Sequence, residues 1–342
     1  GPVLSAAEGT RATVPDILWV PIPAGPFLMG SPDDDPDAYD DEKPQHELTL
    51  PDYYYIARYP ITNAQFRPFV EGDGYRNPAY WTEQGWAWRQ GAEPDLSIFD
   101  DYANEEWKRQ YREWLAGRPV ERRDRPFFWE DPRWGASTRP VVGITWFEAV
   151  AYTRWLEAQL NTAGATLRIW QAGEVSDVDL SSKPCRVQLP SEAEWEKAAR
   201  GALPSPGGGG AGDERRKYPW GHAWQENCAN IKAMSLEQTN PVGMFPDGAS
   251  PYGTMEMAGN VLEWTRSRWG ERSVMRPDYG YPYDPDDGRE RLEGMKIPIL
   301  RGGSFYDDER AVRCAYRAGT NPLSFYGSIG FRAVVSLVCS DC

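Results

Sequence analysis

The sequence predicts a loop-rich fold of the α+β or all-β class. Of its 342 residues, 40% are hydrophobic, ample for a packed core. The 33 Gly and 30 Pro interrupt long regular elements, and 16 Trp supply large anchors for the loops between them. Only two segments carry a complete helix start signal, so helices do not dominate.

Residues 1–15 are small and polar and read as a flexible N-terminus ahead of one domain spanning 16–338. The apolar run Ile17–Ile22 predicts a first strand, ended by Pro23-Ala24-Gly25, with Phe27–Gly30 as its hairpin partner. An acidic loop (Asp33, Asp34, Asp35, Asp37, Asp40, Asp41, Glu42) leads to a strand around Glu47–Leu50. Residues 62–70 space Ala64, Phe66, Phe69 and Val70 as a short helix behind a Thr or Asn cap, with Pro68 in its early turns. Thr145 with Glu148, and Ser191 with Glu194, are capping boxes for two further helices, the second stopped by Gly201. Between them, residues 72–140 form a Trp-rich excursion with one helix around Glu105–Leu115, and the Pro/Gly-rich stretch 203–213 is a flexible loop.

A net charge of -14 and a pI near 4.8 argue against a nucleic-acid partner, which would need clustered Lys and Arg. No apolar run is long enough to span a bilayer, so the chain reads as soluble; Gly1-Pro2 resembles a tag-cleavage scar and leaves the compartment open. Five cysteines are too sparse for a disulfide scaffold, and the pair with CxxC spacing, Cys339 and Cys342, lies in the tail 339–342, as exposed thiols or a terminal disulfide.

Nine strings resemble, in order, the formylglycine-generating-enzyme or sulfatase-modifying-factor family: Ile22-Pro23-Ala24-Gly25 to Met29-Gly30-Ser31, Asp41-Glu42-Lys43-Pro44 with His46, Pro60 to Phe66, Pro140 to Trp146, Leu189 to Glu196, Tyr218-Pro219-Trp220-Gly221, Gly259 to Trp264, Leu300 to Ser304 and Gly330-Phe331-Arg332. The resemblance implies an α+β architecture, the C-type lectin fold of the formylglycine-generating-enzyme subtype. It has a small twisted antiparallel sheet, two main helices, long loops and paired N- and C-terminal strands.

The family's oxidases hold copper with two cysteine thiolates just after the Arg-Gly-Gly-Ser string, yet Phe305–Arg313 contains no cysteine. Cys314 matches a structural position whose cysteine partner falls at Ala199. A second branch uses non-haem iron on histidines, and His46 and His222 are the only two here, in different strings with no iron-binding bundle ahead of the domain. The expectation is a non-enzyme without copper; the alternative is an oxidoreductase acting on a cysteine or other thiol.

Another branch consists of variable proteins diversified by a retroelement whose reverse transcriptase miscopies template adenines. Codons of AAC type then yield fifteen residue types and exclude Lys, Met, Gln, Glu and Trp. Those five supply 66 of 342 residues, so 305–328 should hold about 4.6; it holds one, Glu309. The implied recognition surface is Phe305, Tyr306, Asp307, Asp308, Arg310, Ala311, Ala315, Tyr316, Gly319, Thr320, Leu323, Ser324, Phe325, Tyr326, Gly327 and Ser328, a mixture of aromatic and small polar residues suited to an adaptable interface. Arg313, Arg317, Asn321 and Pro322 resemble fixed anchors. The partner expected is a macromolecule, most simply a protein, and alanine at Tyr306, Asp307, Tyr316, Phe325 or Tyr326 should each cost about 0.5 kcal/mol or less. By the same resemblance a structural calcium ion would use Glu256, Gly259, Val261 and Glu263; a second site starting at Asn230 lacks an evident acidic ligand.

Overall fold

A computed structural model describes residues 14–338 apart from 102, 163–164, 182 and 204–215. The N-terminal stretch, most of the Pro/Gly-rich loop, and Cys339 and Cys342 therefore lie outside the described residues.

Twelve strands and five α-helices make up the described fold. Strands β1 (Leu18–Ile22), β2 (Gly25–Met29), β3 (His46–Leu50) and β4 (Tyr54–Ala57) precede α1 (Asn63–Glu71), α2 (Glu83–Arg89), α3 (Glu105–Ala116) and α4 (Trp146–Leu160). Then come β5 (Thr166–Gln171), β6 (Glu174–Asp179), β7 (Cys185–Gln188), α5 (Glu192–Arg200), β8 (Leu262–Gly270), β9 (Ile297–Arg301), β10 (Arg317–Gly319), β11 (Ile329–Phe331) and β12 (Val334–Leu337). A six-stranded sheet has the order β6-β5-β1-β4-β12-β7, a four-stranded sheet the order β10-β9-β8-β11, and β2 pairs with β3 alone.

Both capping boxes form: Thr145 and Ser191 accept from the amides of Glu148 and Glu194, whose side chains return to the cap amides. Thr62 and Gln65 form a third, and α1 continues through Pro68. The hairpin expected from β1 and β2 does not form. Both edges of β1 are taken, by β4 antiparallel and β5 parallel. Gly25, at φ +116°, turns the chain away, and α5 holds the start and end of β2, Lys197 Nζ donating to Gly25 O at 2.7 Å and Gly30 N to Glu196 Oε1 at 2.8 Å. The terminal strands do not pair directly either; β1 and β12 flank β4, and β12 also joins β7.

The Trp-rich excursion shares the main core. Trp81, Trp88, Phe99 and Tyr111 are buried in one cluster with Trp155 of α4 and Trp264 of β8. Glu148, fully buried, ties the excursion to α4: its oxygens accept from Arg118 at 2.6 and 2.8 Å, from Tyr75 Oη at 2.5 Å and from the Thr145 amide at 2.8 Å. Removing one side of a buried ion pair strands the other charge. Glu148→Gln should therefore cost about 3 to 5 kcal/mol in urea unfolding, against about 1 kcal/mol for loss of the Thr62 cap in Thr62→Ala.

Candidate recognition face

The segment after β9 starts with Gly302 and Gly303, both at positive φ, and Gly303 must be small because an added Cβ would lie 2.5 Å from Ala311 O. Asp307 Oδ2 accepts from Ser304 N and Oγ at 2.8 and 2.7 Å, closing a turn. Downstream, Arg313 grips buried Glu42 through both ends of its guanidinium, at 2.5 and 2.7 Å. Arg317 donates to Glu192 Oε1 at 2.8 Å and to the Asp41 and Tyr279 carbonyls. Asn321 and Pro322 are buried as well, so the four residues expected as anchors are interior.

Between these anchors the sixteen candidate positions divide. Tyr306 (58% exposed), Tyr326 (41%), Asp308 and Arg310 face solvent, and Asp307, Tyr316, Thr320, Gly327 and Ser328 are half-buried. Six that were expected on the surface are interior: Phe305, Ala311, Ala315, Leu323, Ser324 and Phe325. The excursion covers most of them. Phe325 stacks on Trp114 with centroids 4.2 Å apart and meets Phe127 at 4.8 Å. Ser324 Oγ lies 3.0 Å from Tyr111 Oη, Leu323 joins the main core, and Phe305 packs with Trp134, Val142 and Val261. Ala311 is wedged against Gly303, and the Ala315 carbonyl accepts from buried Arg301 at 3.0 Å. Gly319, although half-buried, has no room for a side chain, since a Cβ would sit 2.5 Å from the Trp269 ring.

One exposed contributor lies far away in the sequence. Tyr39 of the acidic loop is 39% exposed, its ring 4.0 Å beneath the Arg310 guanidinium and 5.9 Å from Tyr316. Arg310 Nε also donates to Asp37 O at 2.7 Å, so the acidic loop abuts the segment. Only the tertiary arrangement places Tyr39 here; no local motif marks it.

The two histidines and Cys314, which the sequence singled out, sit in different surroundings. His46 Nε2 accepts from the Tyr283 amide at 2.9 Å and Nδ1 donates to Pro44 O at 3.0 Å, which fixes the tautomer and uses both nitrogens. Cys314 is buried in one cluster with Ala199, and burial pushes its thiol up to about 11, unfavourable for a thiolate ligand or nucleophile. His222 lines a polar cavity of about 230 Å³ with Lys217, Arg200 and Arg313.

The four residues expected to hold calcium differ in how far their oxygens are already engaged. Glu256 is 7% exposed; its Oε1 accepts from Gly243 N at 2.7 Å, its Oε2 has no partner, and burial raises its pKa to about 7. Glu263 already balances Arg332, at 2.6 and 2.7 Å, and accepts from Trp195 Nε1 at 2.7 Å. Gly259 and Val261 form a tight turn closed by a 2.9 Å backbone bond. Glu256 thus has an oxygen free for a cation, whereas Glu263 has only its remaining lone pairs. Asn230 Oδ1, from the weaker second site, is also buried without a partner.

A profile of the sulfatase-modifying factor enzyme 1-like domain matches residues 5–337. The chain belongs to that family. It is 29% identical over 307 residues to the hercynine oxygenase of Mycolicibacterium smegmatis, covering 88% of this chain and 57% of that protein, so it spans little more than half of that relative's length. Identity is 28% over 345 residues to the mouse (Mus musculus) protein named inactive C-alpha-formylglycine-generating enzyme 2, covering 94% and 86%. Two solved structures share the fold: PvdO from Pseudomonas aeruginosa, with a TM-score of 0.54, 21% identity and coverage of 93% and 94%, and Treponema denticola variable protein 1, with 0.53, 19%, and 92% and 94%. Family membership, and the mixed α+β architecture with few helices and small sheets, agree with the resemblance read from the sequence.

Burial divides the segment into two energetic classes. Tyr306→Ala should change stability by about 0.5 kcal/mol or less, whereas Phe325→Ala, also expected to be tolerated from sequence, should cost about 3 to 5 kcal/mol. Thermal or urea melts of the two variants distinguish these outcomes.

Proposed function

We propose that this family member is a non-catalytic recognition protein whose binding face is the exposed part of 305–328 together with Tyr39. The observation carrying this reading is the arrangement of Tyr306, Asp308, Arg310 and Tyr326, exposed on a segment whose buried arginines are clamped to Glu42 and Glu192. Rigidly supported loops bearing aromatic and small polar groups suit adaptable binding. A retroelement would diversify this face, a reading supported by the depletion of Lys, Met, Gln, Glu and Trp and by the fold shared with the Treponema variable protein. Its partner would be a protein. Sequencing the gene and its neighbourhood tests the proposal: an adenine-altered copy of the coding segment and a reverse transcriptase gene should be present, with variation at codons 306, 308, 310 and 326 and constancy at 313, 317 and 319. Absence of such a copy, or variation concentrated at the anchors, contradicts it.

The competing reading, an oxidoreductase acting on a thiol, draws support from the similarity to hercynine oxygenases. Against it stand the cysteine-free stretch 305–313 and the occupied ring nitrogens of His46. Incubation with copper, oxygen and a sulfatase-type cysteine peptide should leave the cysteine unmodified by mass spectrometry; formylglycine in the product would favour the enzyme.

Calcium remains part of the proposal as a brace at Glu256, Gly259, Val261 and Glu263, supported by the unclaimed, desolvated Glu256 oxygen. Calcium should raise the melting temperature of the wild type, and Glu256→Ala should abolish that rise. A calcium-independent melt would remove the site.

A further inference from the structure

On the side of the molecule where the excursion meets residues 321–323, the two line a pocket of about 200 Å³ that opens to solvent. Its apolar inner wall is assembled from five places in the chain: Trp88 of α2, Ile98, Phe147 in the first turn of α4, Met295 ahead of β9, and Leu323. All five are at most 8% exposed. Ala87, on the exposed side of α2, lines the opening, where Lys296 Nζ and Asp95 Oδ2 stand 3.6 Å apart in a loose pair.

One polar side chain breaks the apolar wall. Asn321 is 2% exposed and lines the cavity. Its Oδ1 accepts from Leu323 N at 2.8 Å, which fixes the amide orientation. Among the described residues its Nδ2 makes no hydrogen bond. Buried donors are rarely left unmet, and an apolar space of about 150 Å³ is known to accept benzene; because this pocket opens to solvent, water meets the donor whenever no ligand does. A space somewhat larger than that, with a single unmet donor, suits one ring carrying a short oxygen-bearing substituent.

We propose that this cavity binds a small, mainly apolar molecule, one six-membered ring or its aliphatic equivalent in size, with a carbonyl or carboxylate oxygen accepting from Asn321 Nδ2. An amine would place a second donor against the first and find no acceptor among the inner side chains. The site is separate from the recognition face and stands whether or not that face is diversified. Leu323 belongs to the site's inner wall, so a change at that position reshapes the cavity.

Saturation-transfer NMR and calorimetry with acetophenone, benzoate and benzylamine test the site on the whole protein. Acetophenone or benzoate should bind saturably and benzylamine should not. Ala87→Phe, which fills the opening from an exposed helix position, and Asn321→Asp, which replaces the donor while keeping the bond to Leu323, should each weaken binding at least tenfold. The aspartate should affect benzoate more than acetophenone if the ligand is a carboxylate, and both alike if it is a neutral carbonyl. Melting curves establish that both variants are folded. Lack of saturable binding by either oxygen-bearing probe, binding that survives both substitutions, equal binding of benzylamine, or an ordered water as the sole partner of Asn321 in a crystal soaked with the probes would overturn the proposal.

Discussion

Buried guanidinium groups hold this loop-rich fold together. Arg332, fully buried, pairs with Glu263 and also donates to the carbonyls of Ala57, Met255 and Glu256, joining β4, the loop before β8 and the C-terminal chain at one point. Glu192, at the start of α5, accepts from Arg289 and Arg317 and lies 3.9 Å from Arg301, which is held at 2.5 Å by Glu196 one turn further on. Loops lack the ladder partners that sheets and helices give their carbonyls, and a planar, five-donor cation can satisfy several at once. Such pairs add little net stability over an apolar core, but each fixes where the loops must sit.

That lattice holds the exposed positions of 305–328 on buried supports. Arg313 and Arg317 secure the chain on either side of Ala315 and Tyr316 and draw the acidic loop against them, through Glu42 and the Asp41 carbonyl. The excursion secures the rest, since stacking by Trp114 and Phe127 commits Phe325 to the core, while Tyr326, whose ring also stacks on Trp114 with centroids 4.7 Å apart, stays 41% exposed. The proposed recognition face is consequently smaller than its sequence span, and Tyr39, more than 260 residues away in the chain, lies beside it.

Within the family, one fold carries proteins named for different activities. Ala199 and Cys314 share a core cluster, and burial pushes the Cys314 thiol up to about 11. The hercynine oxygenase relative and the relative named inactive differ in chemistry while matching comparable shares of this chain, so the scaffold alone does not dictate activity.

What the sequence determined by itself was local or carried by familiar strings. Thr145 and Ser191 announced two helix starts because a cap and its partner lie three residues apart, a Thr or Asn cap and apolar spacing suggested a third at 62–70, and nine ordered strings identified the family. Helix α2 was missed, its Thr82 cap lacking a reciprocal Glu or Gln at the third helical position, where Gly85 stands. Strand partnership was equally out of reach, because β2 could pair with β1 or β3 until α5 and the occupied edges of β1 settled it. The same limit divided the candidate site: composition marked 305–328 as a likeness to a recognition segment, but only packing could separate Tyr306 from Phe305 or exclude a side chain at Gly319, where Trp269 fills the space. Local sequence encodes what neighbouring residues do to one another, whereas burial depends on which distant side chains arrive to cover them.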